Sequence, residues 1–192
     1  MKVFLAFFAW AILSGLLFQN ELAAQSDGCS SATVISVTAT CSSPVAGTTT
    51  GATQTISGCV GTADDDVWYT FTATSTNHII TVTPSAGMDP VVQLFSGACS
   101  TLISLKCMDL GFTGDAETIY ATGLTPGTDY IIRVYDYYTG SGTGDFTICV
   151  TDAPAAPSND ACASATLLNV FSSCTPTSGT TVSATLSQAG CA

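Results

Sequence analysis

Four groups of residues in this chain carry side chains able to do chemistry: nine cysteines, a run of three carboxylates, one histidine and a cluster of tyrosines. Nine cysteines are many for a reducing compartment, and no two are spaced C-x2-C. Disulfides are therefore expected and a cysteine zinc cluster is not. Cys99 and Cys107 flank a short segment and would close a hairpin. Cys41 with Cys59 and Cys29 with Cys149 complete one of the many pairings that six cysteines allow. Each bridge would contribute ~2–4 kcal/mol, mainly by restricting the unfolded chain. Asp64-Asp65-Asp66 repel one another, and a bound cation would relieve them. Calcium takes carboxylate and carbonyl oxygens from loops, whereas the bland alternative is a solvated acidic turn. Tyr135, Tyr137 and Tyr138 close a strand and enter a Gly/Ser loop at 139–144. Exposed tyrosines beside polar loops stack on sugar rings or pack on a protein partner. The bland alternative keeps Tyr135 partly in the core and leaves the other two as edge aromatics. His78 opens a strand beside Asn77, and no G-x-S-x-G elbow or similar nucleophile–base arrangement accompanies it. Paired carboxylates for glycoside hydrolysis are set by the fold rather than by spacing. No catalytic residue is assigned, and the chain is expected not to be an enzyme.

Composition narrows the partners. Charged residues make up 9% of the 192, against ~25% for an average soluble domain. Three Lys+Arg against 14 Asp+Glu give a formal net charge of −11. Three basic residues cannot neutralise a phosphate track, so nucleic acid is excluded as a partner, as is docking on anionic lipid. Gly, Ser and Thr are abundant while Lys, Glu and Arg are scarce, which favours strands over helices.

The elements that must position these groups are all strands. Residues 1–24 read as a signal peptide: Lys2, then an apolar run from Val3 to Phe18, then the small residues Ala23 and Ala24. The run is shorter than the ~20 residues a spanning helix needs. No later stretch would insert in a membrane, so the chain is expected to be secreted or held at the cell surface. Beyond the signal peptide a repeat is visible. Asp27-Gly28-Cys29 recurs as Asp160-Ala161-Cys162, Cys41 as Cys174, and Gly58-Cys59 as Gly190-Cys191. The offset is 133 residues, falling to 132 after one slip. The expected organisation is a domain at 25–151, a Pro/Ala linker at 152–158 and an incomplete second copy at 159–192. That second segment lacks the apolar strands needed to offset its ordering entropy. Within the first copy, period-two runs at 33–38, 48–56, 67–73, 78–83, 91–95, 102–107, 117–122, 128–136 and 145–150 read as short strands. Gly, Pro, Asn and Asp clusters separate them. In the clearest run Val67, Tyr69 and Phe71 share one face and Trp68 the other; Trp68 is expected to lie under a loop. Eight or nine short strands without helical period make an all-β fold, a disulfide-stapled, jelly-roll-like β-sandwich.

The string Asp66-Val67-Trp68-Tyr69-Thr70-Phe71, followed by Gly123-Leu124-Thr125-Pro126-Gly127 and Tyr130-Ile131-Ile132-Arg133-Val134, resembles the bacterial pre-peptidase C-terminal (PPC) β-sandwich. The Cys-rich variety is typical of secreted Bacteroidetes surface proteins. The resemblance covers 27–151 and restarts at 159. Leu124, Pro126 and Tyr130 also match the tyrosine corner of fibronectin type III domains, but the repeat is too long and too crosslinked for that fold. The PPC resemblance implies a non-catalytic accessory module that binds an extracellular glycan or matrix protein. A structural stalk, or a targeting appendage of a secreted hydrolase, is the alternative it leaves open. It also implies a calcium site, with Asp64 and Asp66 before the Trp-Tyr strand and Asp27 as the ligand at the domain edge.

Overall fold

The computed structural model describes residues 26–140 and 144–184. The expected signal peptide at 1–24 and Cys191 lie outside the described residues. Alternation along the strands settles which side chains meet. In β4 (Val67–Thr72), Val67, Tyr69 and Phe71 point one way and Trp68 the other. β4 pairs antiparallel with β9 (Asp129–Asp136), and β9 pairs with β6 (Pro90–Ser96). One sheet runs β1 (Thr33–Val34), β4, β9, β6, β7 (Ile103–Met108). The other runs β2 (Val37–Thr38), β10 (Asp145–Asp152), β5 (His78–Pro84), β8 (Glu117–Ala121), with β3 (Val45–Thr48) also on β10.

The two inner faces bury one core. Tyr69, Phe71, Val92, Leu94, Ile132 and Val134 meet Ile80, Val82, Ile119, Phe146, Ile148 and Val150. Tyr130 makes the tyrosine corner by accepting the Thr125 N–H at 2.9 Å on its hydroxyl. The result is the all-β sandwich that the strand pattern implies, stapled by three disulfides.

Two strand expectations change. The run at 33–38 is two strands. β1 joins the first sheet and β2 the second, and buried Ile35 lies in the core between them. The run at 48–56 is not a strand. β3 ends at Thr48, and a turn follows at Gly51, whose φ of +81° favours glycine. Residues 53–63 then cross the outside of the first sheet as a strap.

The disulfides pair Cys29 with Cys99, Cys41 with Cys149 and Cys59 with Cys107, at Cα separations of 5.7, 5.8 and 6.3 Å. All six expected cysteines are bridged, but none of the expected partners is right. Cys99 and Cys107 stand near opposite ends of β7, which puts them roughly 20 Å apart at the rise of a strand, beyond any bridge. Cys149 is on the outer side of the second sheet, between the inward Ile148 and Val150. Cys29 packs on the outer side of the first, so the core separates the two. Cys59 is likewise in the strap outside the first sheet, out of reach of Cys41 beside β10.

Residues 159–184 contain one 3-10 turn, Cys162–Ser164, the repeat counterpart of the turn at Cys29–Ser31. No strand forms among the described residues of this segment, and Cys162 and Cys174 are free and exposed.

Candidate functional site

The outer face of the first sheet is buried as well as the inner one. Trp68, Phe95, Ile131, Arg133 and Tyr135 lie there beneath the strap and the N-terminal turn. Arg133 organises the strap. Its Nη1 donates to the Ile56 carbonyl at 2.9 Å and to Asp66 Oδ2 at 3.1 Å. Its Nη2 donates to the Ser57 carbonyl and to Gln93 Oε1. The guanidinium stands 4.9 Å from the Tyr135 ring centroid and 5.5 Å from that of Trp68. Burial pulls its pKa below the ordinary value, and the Asp66 carboxylate opposes that pull. Asp66 also accepts from the Trp68 indole N–H and from the Thr55 hydroxyl. The Tyr135 hydroxyl donates to the Val60 carbonyl at 2.7 Å and accepts the Cys59 and Val60 N–H groups.

This arrangement decides the fate of several candidates. Asp66 and Arg133 form a fully buried ion pair, so both Asp66 oxygens serve the strap. Asp27 holds the strap's other end, accepting from the Thr53 N–H and hydroxyl. Asp64 accepts the Gly140 N–H at 3.0 Å. Asp27, Asp64 and Asp66 are thus not brought to one point, and among the described residues no three acidic, His or Cys groups gather as a preformed metal centre. Tyr135 is a pillar of the strap and presents no surface, which corrects its listing beside Tyr137 and Tyr138. Trp68 lies under the strap, fully buried.

His78 is a packing residue. It is fully buried, with its ring edge-on to Phe71 at 5.5 Å. Its Nε2 accepts the Thr74 and Ser75 N–H groups, which leaves the proton on Nδ1, facing the Thr151 carbonyl and Asp152.

The exposed features collect at one pole. β4, β6, β8 and β10 begin there, and β3, β5, β7 and β9 end there. Four connections therefore meet: the strap and its lead-in, 85–89, 109–116 and 137–144. Residues 141–143 of the last are outside the described residues. Tyr137 and Tyr138 stand in it, edge to face with centroids 5.1 Å apart. Tyr138 is 54% exposed. Tyr137 lies against Gly61, whose φ of +58° and closeness to that ring leave no room for a side chain. Backbone bonds fix the loop: the Tyr137 N–H donates to the Asp89 carbonyl at 2.8 Å, and the Thr62 N–H to the Tyr137 carbonyl at 3.0 Å.

The same pole holds carboxylates that patterning did not single out: Asp89, Asp109, Asp115, Glu117 and Asp136. Each sits next to or at the end of a strand. The sequence held a signal for this, since successive hairpin strands end at alternate poles. Leu110 and Phe112, 82% and 78% exposed, project from the connection that carries Asp109 and Asp115.

With this geometry, the comparisons are coherent. A family model described as galactose binding domain-like, in its T9SS-associated form, matches residues 25–148. It covers the stretch on which the sequence resembles the PPC sandwich and agrees with that resemblance. Among solved structures, the pre-peptidase C-terminal domain of collagenase from Bacillus anthracis is similar, with a TM-score of 0.42 and 19% identity. That match covers 62% of this chain and 93% of the other. No curated protein matches the chain.

Proposed function

The chain belongs to the T9SS-associated galactose-binding-domain-like family, and from that premise we propose that it is a non-catalytic extracellular binding module. Its ligand is a glycan or matrix protein that docks at the loop-bearing pole. The observation that carries this is the Tyr137–Tyr138 pair: one ring open to solvent, braced by the other, which is itself seated on the strap. A braced tyrosine offers a flat apolar face with a polar rim at little cost in side-chain entropy. Three disulfides support a location outside the reducing cytosol. The one histidine is used in packing, which removes the commonest general base.

A second reading, a structural spacer, is favoured by the bridges, each of which ties an early cysteine to a late one. The two readings separate on a glycan and matrix-protein array probed with the full chain. The binding reading expects hits that Tyr138→Ala abolishes and that Tyr120→Ala, an exposed tyrosine on β8, leaves intact. A blank array from folded, oxidised protein, or hits indifferent to Tyr138→Ala, overturns it.

A further inference from the structure

We propose that Asp89 and the connection 109–116 form a calcium-type divalent-cation site, with Asp89 as its buried anchor and Asp109, Asp115 and Glu117 as the carboxylates that close over the ion. The site is separate from the Asp64–Asp66 turn and does not depend on the glycan reading.

The first observation is Asp89 itself. It is 5% exposed, and its Oδ1 is buried with no hydrogen-bond partner. A buried, unpaired carboxylate oxygen forfeits its hydration with nothing in return. The second is what surrounds it. Asp89 stands between two acidic elements. On one side Pro90 pairs with Asp136 across β6 and β9. On the other, the Gly114 N–H donates to the Met88 carbonyl at 2.8 Å, which pins the 109–116 connection beside Asp89. Glu117, 3% exposed, uses Oε1 to accept the Leu110 and Gly111 N–H groups at 2.8 and 2.6 Å. Asp115 caps the same connection at the Phe112 N–H. A side chain at Gly111 would strike Asp115 and Glu117, so glycine is what lets this connection close.

The third observation is the shortage of cations. Arg133 is committed to Asp66, Gln93 and the strap carbonyls. Lys106 projects from exposed β7. Among the described residues no Lys or Arg forms an ion pair with Asp89, Asp109, Asp115 or Glu117. Burial, then mutual repulsion, raises the Asp89 and Asp109 carboxyls above their ordinary value. The ion expected is calcium rather than magnesium. Calcium accepts 6–8 oxygens in irregular geometry, and the side chains of Asp109 and Asp115 are accessible enough to adjust to it. Magnesium demands a near-octahedral cage.

The experiment uses the full chain, stripped with EDTA. Calcorimetric titration with CaCl2 and terbium luminescence sensitised by the nearby tyrosines read binding; thermal melts read the linked stabilisation. The expected result is one saturable calcium site, a Tm raised by several degrees and reversed by EDTA, and little response to MgCl2. Asp89→Asn removes charge without changing shape and relieves repulsion, so it is expected to fold. It should weaken calcium binding about tenfold or more, as should the exposed Asp115→Asn to a smaller degree. Asp64→Asn should leave binding intact. The proposal is overturned if wild type shows no saturable calcium binding at millimolar concentration. It is equally overturned if binding survives Asp89→Asn and Asp115→Asn but is lost in Asp64→Asn.

Discussion

Arg133 is the side chain on which the outside of the first sheet depends. It lies opposite Trp68 in the β4–β9 register and beside Gln93 of β6, so three neighbouring strands aim polar or aromatic groups at one point. The charge is tolerable there because Asp66 neutralises it and two strap carbonyls take the remaining protons. Asp66→Ala is therefore expected to cost about 3–5 kcal/mol in urea unfolding, because it strands a buried guanidinium. A loss below about 1 kcal/mol would mean that the pair does not hold the strap. Arg133→Lys should be costly too, since one ammonium cannot replace a planar fork serving four acceptors. The sequence half-discloses this. Asp66 lies two residues before Trp68 and so shares its side of β4, away from Val67 and Tyr69. What it hides is that Arg133 pairs with Trp68, because strand register follows from the fold and not from local spacing. Asp66 therefore reads as one of three equivalent acids when it is the one turned inward.

Among the elements, the strap is the least conventional. It has no ladder of its own and is held by side chains: Asp27 at Thr53, Asp66 at Thr55, Arg133 at Ile56 and Ser57, Tyr135 at Cys59 and Val60. The Cys59–Cys107 bridge fixes it to the edge strand β7. Replacing both cysteines by alanine should cost ~2–4 kcal/mol. It should also open the 51–63 segment to limited proteolysis and shift Trp68 emission to the red. Unchanged emission with unchanged cleavage would show that the polar contacts suffice. Strands with strong alternation were legible to within a residue or two: β4, β5, β6, β9 and β10. The Thr-rich run at 48–56 was not, since threonine suits a strand and a hydroxyl-bonded strap alike. Its single glycine with positive φ was the only mark of the turn.

At the scale of the whole molecule, the arrangement of strand ends puts the strap, the tyrosine pair and the acidic connections at one pole. Fold class was legible because an all-β alternation with six cysteines leaves few architectures. The pole was not, since it depends on which ends coincide after eight strands have paired. The cysteine pairing was hidden for the same reason: bridges join residues that the sandwich brings together, not residues near in sequence. Peptide mapping of non-reduced protein should recover Cys29–Cys99, Cys41–Cys149 and Cys59–Cys107. A Cys41–Cys59 or Cys99–Cys107 peptide would contradict the fold described here.

The Cys41–Cys149 bridge also decides how the molecule would bear a mechanical load. Tension applied to the two ends of the sandwich passes straight across that bond. Only the residues before Cys41 and after Cys149 can be drawn out, at about 3.3–3.6 Å each. The 108 positions separating the two cysteines are shielded from the pull. A string of such units under shear would stretch a little at each junction and keep its loops folded, and with them whatever they hold, until a reductant cut the shunt.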